Sequence, residues 1–357
     1  MQYNIMTLMS RIRGLAGFFR RTERVHQSAT PEPVDHIVLL DGTMSSLEEG
    51  SETNVGLIYK LLCSSEDAER LSIFYEAGNQ WSDWSKTLDI IEGRGINRQI
   101  RRVYEWLSSR YRPGDRIFLI GFSRGAYAIR SLGGVIDEVG LLRKEHTSEH
   151  NVHEAYRRYR EGANDCPVFS KEHCHVDVPI EMIGVFDTVK SLGFRAPFVW
   201  KWADIKHSFH NHRLGKHVRR GYHALALDET REAFRPVLWK CPKGHEGQVE
   251  QMWFRGSHGD VGGQLSGFKE ARLLSNIPLH WMLEKAELSG LDLPEDWRER
   301  FPTDEDARSA GTWRGWSKYF LARKKRVVGE DLSETIHPTA IGRSRRAKKL
   351  VVPLPSS

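Results

Sequence analysis

Ile117-Phe118-Leu119-Ile120-Gly121-Phe122-Ser123-Arg124-Gly125-Ala126 carries four consecutive apolar residues straight into the spacing G-x-S-x-G, and a helix-compatible pattern follows it to Ile136. A serine placed on a sharp strand-to-helix turn is held with its hydroxyl clear of the chain, and the flanking glycines remove side chains that would collide inside the turn. The backbone N–H groups at the start of the helix then face any negative charge that develops on a carbonyl oxygen attacked by that hydroxyl. The spacing alone is common. The strand immediately before it and the helix immediately after it make Ser123 a candidate nucleophile.

Working outward, Ile37–Leu40, Leu71–Tyr75, Arg116–Ile120, Ile180–Phe186 and Gln251–Phe254 read as short buried strands, and Asn54–Leu62, Ile91–Ser109, Ser123–Ile136 and Ile277–Leu288 carry helical spacing. Pro113-Gly114-Asp115 breaks the second helix before the strand at Arg116. Strands alternating with helices predict parallel βαβ units, hence an α/β fold of the α/β-hydrolase type: a mostly parallel sheet with helices on both faces. In such sheets the chemistry collects at the carboxyl ends of the strands. The 357 residues divide into a basic amphipathic segment and Pro-punctuated linker over 1–33, a hydrolase domain over 34–340 and a basic tail over 341–357. Two charged, His- and Trp-containing stretches of weak periodicity, near 140–178 and 190–245, read as insertions that cap the sheet.

A serine hydroxyl needs a base to take its proton and an acid to fix the tautomer of that base. Serine, acid and histidine follow one another in that order on elbow-type sheets. Among 16 histidines, His258 stands out because Met252-Trp253-Phe254 runs as a strand into the glycine-rich Arg255-Gly256-Ser257-His258-Gly259-Asp260-Val261-Gly262-Gly263. His223 sits in the helix-like apolar stretch Tyr222–Asp228 and reads as a structural histidine. Asp187 ends the strand Ile183-Gly184-Val185-Phe186 and is the first candidate acid, with Asp228 the alternative. Asp260 is too close to His258 in sequence to face it. Helix capping is the ordinary task of an Asp after a strand. Backbone N–H groups for an oxyanion are expected from Arg124 and from Gly42 or Thr43, in the turn after the first strand.

Hydrophobic content of 39% and charged content of 28% are those of a water-soluble globular chain, and no window approaches the ~18 apolar residues of a membrane span. The net charge of +6 is concentrated at the ends. Residues 1–30 hold five arginines against Glu23, residues 321–357 hold nine Lys or Arg against three acids, and the middle is net acidic. A nucleic-acid-binding core is therefore not expected. Met1–Arg24 alternates apolar and basic residues as a basic amphipathic helix would, suited to packing on the domain or to lying on a membrane surface. Arg11 and Arg13 interrupt any signal-peptide core, so synthesis in the cytoplasm without a cleavable signal peptide or transmembrane helix is expected. The four cysteines have no paired spacing, and neither His173-Cys174-His175 nor Cys241 with His245 matches a zinc motif, so no metal and no cofactor is expected.

Several segments together resemble a known family. Leu40-Asp41-Gly42-Thr43, Thr53-Asn54-Val55, Tyr111-Arg112-Pro113-Gly114-Asp115, Gly121–Tyr127, Gly184–Val189, His223–Glu229, Trp253–Gly263 and Ile336-His337-Pro338 recur in the order of the uncharacterised α/β-hydrolase domain family that includes the phospholipase effectors of type VI secretion systems. The resemblance spans roughly 35–340, with a departure at Met44-Ser45, where relatives often carry an aromatic residue and Asn. It implies a serine–aspartate–histidine triad on Ser123, Asp187 and His258, and lipase or phospholipase activity on a lipid ester. For some members it implies signal-peptide-independent delivery into neighbouring cells, with a secretion-system carrier and an immunity protein as partners. A short-chain esterase or thioesterase, or a non-catalytic interaction module on the same scaffold, are the competing readings.

Overall fold

The computed structural model describes residues 22–24, 33–65, 70–78, 94–163, 166–189, 213–241, 248–313 and 320–343. Residues 1–21 and 344–357, which hold most of the basic ends, lie outside them, as does the amphipathic helix expected there. Thr22–Arg24, expected to end that helix, is instead edge strand β1. β1 runs antiparallel to Leu71–Glu76, where backbone pairing along the open edge of a sheet is available to an extended segment.

Among the described residues, ten strands follow in chain order: β1, β2 (Asp35–Leu40), β3 (Leu71–Glu76), β4 (Arg116–Phe122), β5 (Leu141–Leu142), β6 (Cys174–His175), β7 (Met182–Phe186), β8 (Gly221–Ala226), β9 (Val249–Phe254) and β10 (Glu334–Ile336). Eight form one sheet in the order β1-β3-β2-β4-β7-β8-β9-β10, all parallel except β1, while β5 and β6 make a small antiparallel pair.

Both faces of the sheet are covered, and successive residues of the central strands β2, β4 and β7 supply the two cores in turn. Val38 and Leu40 of β2, Ile117 and Leu119 of β4, and Ile183 and Val185 of β7 point to one side, against α2 (Arg94–Ser108), α3 (Arg124–Val139) and α4 (Glu149–Glu161). Ile37 and Leu39, Phe118, Ile120 and Phe122, and Met182 and Phe186 point to the other, against α1 (Asn54–Cys63) and the helix Arg272–Leu288. The architecture is that of an α/β-hydrolase, as expected. Two polar devices fix the lower ends of the central strands. Arg116 grips the carboxylate of Asp35 with both Nε and Nη2 at 2.6 Å, and Asp115 accepts from the Val34 N–H while its other oxygen lies 3.0 Å from His36 Nε2.

Residues 140–178 fold as β5, α4, α5 (Cys166–His173) and β6. Val152, Tyr156, Tyr159 and Phe169 bury this unit in the core on the α2 and α3 side. The second expected cap, 190–245, is in part outside the described residues, and its described part contains a central strand. β8, Gly221-Tyr222-His223-Ala224-Leu225-Ala226, is buried at every position, so the stretch read as helix-like is sheet. Buried strands and buried helices are both apolar throughout, and alanine and leucine here disguised the strand as a helix.

Candidate active site

The geometry begins with β4. At its end Ser123 adopts φ 57° and ψ −117°, backbone that an L-residue holds only when its surroundings enforce it. They do. A Cβ on Gly125 would lie 2.1 Å from the Leu40 carbonyl oxygen, and one on Gly121 would lie 2.8 Å from the Ala126 nitrogen. The G-x-S-x-G spacing is thus required by α3 packing its first turn directly onto β2 and β4. The Ser123 N–H donates to the Phe186 carbonyl at 3.0 Å, so the elbow is tied to the neighbouring strand β7.

Asp187 follows β7 and is also held at positive φ, 40°. Its N–H donates to the Ala224 carbonyl at 2.7 Å and its Oδ1 accepts from the Ala226 N–H at 3.0 Å, so β8 anchors it on both sides. His258 opens the short helix α6 (His258–Gly262), reached from β9 through Gly256 at φ 114°. Asp187 Oδ2 lies 2.5 Å from His258 Nδ1, and His258 Nε2 lies 3.0 Å from Ser123 Oγ. In this arrangement Nδ1–H donates to the carboxylate and Nε2 accepts the serine hydroxyl. The imidazole is flanked by two phenyl rings, Phe122 and Phe234, each with its centroid 4.8 Å away. Phe122 is in turn pinned: a Cβ on Gly42 would meet it at 2.6 Å and one on Gly262 at 2.0 Å. Glycine at 42 and 262 leaves room for the ring, which lies against the histidine at an interplanar angle of 32°.

The expected residues Ser123, His258 and Asp187 are therefore brought together at the carboxyl ends of β4, β9 and β7. Asp228 is not part of this chain of contacts. Its carboxylate accepts the Gly256 N–H at 2.8 Å, bracing the loop that delivers His258. Of the proposed oxyanion donors, the Gly42 N–H is taken up by the Asp41 carboxylate at 2.7 Å, which leaves the backbone N–H groups of Thr43 and Arg124. Asp41 also accepts from the hydroxyls of Thr53 at 2.6 Å and Tyr75 at 2.9 Å. Burial raises its pKa to about 6, against the lowering effect of these bonds.

Two charged residues stand beside the site without an obvious sequence signal. Glu229, fully buried, accepts the His258 backbone N–H at 3.1 Å and holds Arg231 through Nε at 2.9 Å and Nη2 at 2.6 Å. Arg326, also buried, places Nη1 2.5 Å from Asp187 Oδ1 and Nη2 2.8 Å from Asp187 Oδ2. Burial by itself would raise the Asp187 pKa, but the Arg326 charge, followed by the hydrogen bonds from Arg326 and His258, holds this carboxyl well below the usual carboxylate range. Stripping one partner from so buried a pair costs on the order of 3–5 kcal/mol.

His223 lies one strand away in β8. Its Nε2 accepts the Thr188 N–H at 3.1 Å, next to Asp187 in sequence. Burial, followed by the positive charge of Arg130, lowers its pKa to about 3. An imidazole kept neutral in the folded chain but protonated in the unfolded one below about pH 6.5 favours unfolding as the pH falls. His223 alone should therefore remove about 1.4 kcal/mol of stability per pH unit between roughly pH 6 and pH 4. Urea unfolding of wild type and His223→Gln across that range should give a shallower pH slope for the variant; parallel slopes would contradict a neutral buried His223.

Beside His258 a cavity of about 90 Å³ is lined by Arg231, Phe234, Ser257, Gln264, Leu265 and Gly311, among others. Among the described residues, no cluster of three or more His, Cys, Asp or Glu is placed to hold a metal ion, and no helix is long and apolar enough to cross a membrane.

Known proteins are similar to this chain over part of their length. An uncharacterised protein of Saccharomyces cerevisiae is 27% identical over 234 residues, covering 57% of this chain and 32% of the yeast protein. The solved structure of the Tle1 effector bound to the VgrG spike of the type VI secretion system is 16% identical, with a TM-score of 0.38, covering 66% of this chain and 52% of that one. An uncharacterised protein from Pseudomonas aeruginosa is 17% identical, with a TM-score of 0.42, covering 85% and 52%. The chain thus spans about a third of the length of its yeast relative and about half of each of those two solved chains. The family described as the type VI secretion system phospholipase effector Tle1-like catalytic domain matches residues 35–285. That match runs from β2 through the elbow, both flanking strands and the His258 loop into the helix that covers the second core. By it this chain belongs to the Tle1-like phospholipase effector family.

Proposed function

We propose that the protein is a serine ester hydrolase that cleaves the carboxylic ester of a lipid, with Ser123 as nucleophile, His258 as general base and Asp187 as orienting acid. The observation that carries the reading is the continuous hydrogen-bonded chain from Ser123 Oγ through the His258 ring to a fully buried Asp187 that is paired with Arg326. Ser123 Oγ attacks the ester carbonyl carbon while Nε2 takes the hydroxyl proton. The tetrahedral oxyanion receives the N–H groups of Arg124 and Thr43, reinforced by the positive end of α3. The intermediate collapses by breaking the bond to the alcohol oxygen, which leaves with the proton returned by His258. Water activated by the same base then frees the acid from Ser123. The Asp187 carboxylate holds Nδ1–H in place and offsets the imidazolium charge.

Membership of a phospholipase effector family supports a phospholipid as the ester. It equally supports a secretion-system carrier as a partner, and a membrane surface as the place where substrate is met. The substrate class is tested by offering the purified protein a short-chain ester, a triglyceride, an acyl thioester and phospholipid vesicles under one set of conditions. Fatty-acid release is expected to be fastest from the phospholipid. Turnover of the short ester or thioester with none on vesicles would replace the lipid reading by an esterase or thioesterase, and turnover of none would favour an interaction module.

A further inference from the structure

The Nη1 and Nη2 atoms of Arg326 make four contacts. Nη1 donates to Asp187 Oδ1 at 2.5 Å and to the Ala226 carbonyl at 2.8 Å; Nη2 donates to Asp187 Oδ2 at 2.8 Å and to the Phe234 carbonyl at 2.6 Å. One guanidinium thus joins the acid, the end of β8 and the backbone of Phe234, the residue whose ring flanks His258. It comes from the stretch between residues 320 and 334, which leads into β10 and lies beyond the residues matched to the family, 35–285. We propose that Arg326 is a positioning residue for the Ser123–His258–Asp187 unit, holding the Asp187 carboxylate in the orientation that meets the His258 ring and offsetting part of its charge. The inference rests on the triad reading above.

A carboxylate facing an imidazole would, unopposed, hold a proton on the pair up to a higher pH, because the imidazolium is stabilised by the full negative charge. Arg326 opposes it at contact distance, and the planar fork meets both oxygens at once. The other charged groups packed around the pair are already accounted for. Glu229 on the β8 side is held ionised by Arg231, against the effect of its burial. His223 stays neutral above about pH 3. Arg130 on α3 donates to the Val237 carbonyl and keeps its charge up to about pH 9, lowered from its ordinary value by burial. Asp228 is spent on the Gly256 N–H, and Asp260 on the Ser257 hydroxyl and N–H, the Ser309 hydroxyl and the Ala310 N–H. Among these charged side chains, Arg326 is the cation in direct contact with the Asp187 carboxylate, so its removal changes the charge at the pair most directly.

The test follows the rate at which a fluorophosphonate labels Ser123 against pH, which needs no knowledge of the natural ester. In Arg326→Gln the acid limb should move up by about one pH unit, whichever of Asp187 and His258 holds the proton, and the plateau rate should fall roughly tenfold or more. In Arg326→Lys the charge remains but the fork is lost. The limb should then stay near that of wild type, while the plateau rate again falls about tenfold. A folded Arg326→Gln with an unmoved limb overturns the proposal. If the glutamine variant does not fold, the lysine variant decides, and a wild-type labelling rate there overturns it. Wild-type protein whose Ser123 is not labelled at all would instead reject the triad reading, so the two failures are told apart.

Discussion

Ser123→Ala is expected to lower ester hydrolysis on the order of 10⁶-fold, with the sheet intact, because the hydroxyl removed is the group to which the acyl chain is transferred. His258→Ala should cost nearly as much. The double variant should be little worse than either single one, since residues that act as one proton-transfer and acylation unit lose their contributions together. Near-wild-type hydrolysis by folded Ser123→Ala, with circular dichroism unchanged, would remove Ser123 from the mechanism. Losses that multiply in the double variant would mean that serine and histidine act separately, against the 3.0 Å contact between Ser123 Oγ and His258 Nε2.

The second large effect separates the two candidate acids. Asp187→Asn keeps the size of the side chain but removes the charge that orients Nδ1–H and offsets the imidazolium, so kcat should fall on the order of 10²–10⁴-fold. It should also destabilise the fold, because Arg326 would be left buried without its counter-charge. Asp228→Asn retains an oxygen that can still accept the Gly256 N–H and should change kcat less than tenfold. Measured side by side, the reverse order of losses would make Asp228 the acid.

The contrast between these two aspartates marks what the sequence reveals. Ser123, the strand before it and the helix after it are legible together because the elbow imposes glycine at fixed offsets and apolar residues just upstream. His258 and Asp187 are legible as residues leaving the ends of apolar strands. Asp228 is the alternative that the sequence leaves beside Asp187, and the pairing of β8 with β7 and β9 turns one toward the histidine and the other toward a loop. β8 is hidden because a strand buried on both faces, written in Ala, Leu and His, has no alternation to read. Glu229 is masked by Asp228 beside it, although Glu229 holds the His258 backbone. Arg326 is hidden more deeply. It sits 139 residues beyond Asp187, inside the run Arg323-Lys324-Lys325-Arg326 that composition assigns to a solvated basic end. Its burial against a carboxylate depends on the chain returning past β8, which no local pattern records.

The most direct measurement is the site of covalent capture. Purified protein treated with a fluorophosphonate, digested and mapped by mass spectrometry should carry one adduct, on the peptide containing Ser123. The adduct should be lost in Ser123→Ala and strongly slowed in His258→Ala, with ester hydrolysis falling in proportion to the serine modified. Full hydrolytic activity in protein whose Ser123 is quantitatively blocked, or capture at another serine with Ser123 untouched, would contradict the assignment of the active site.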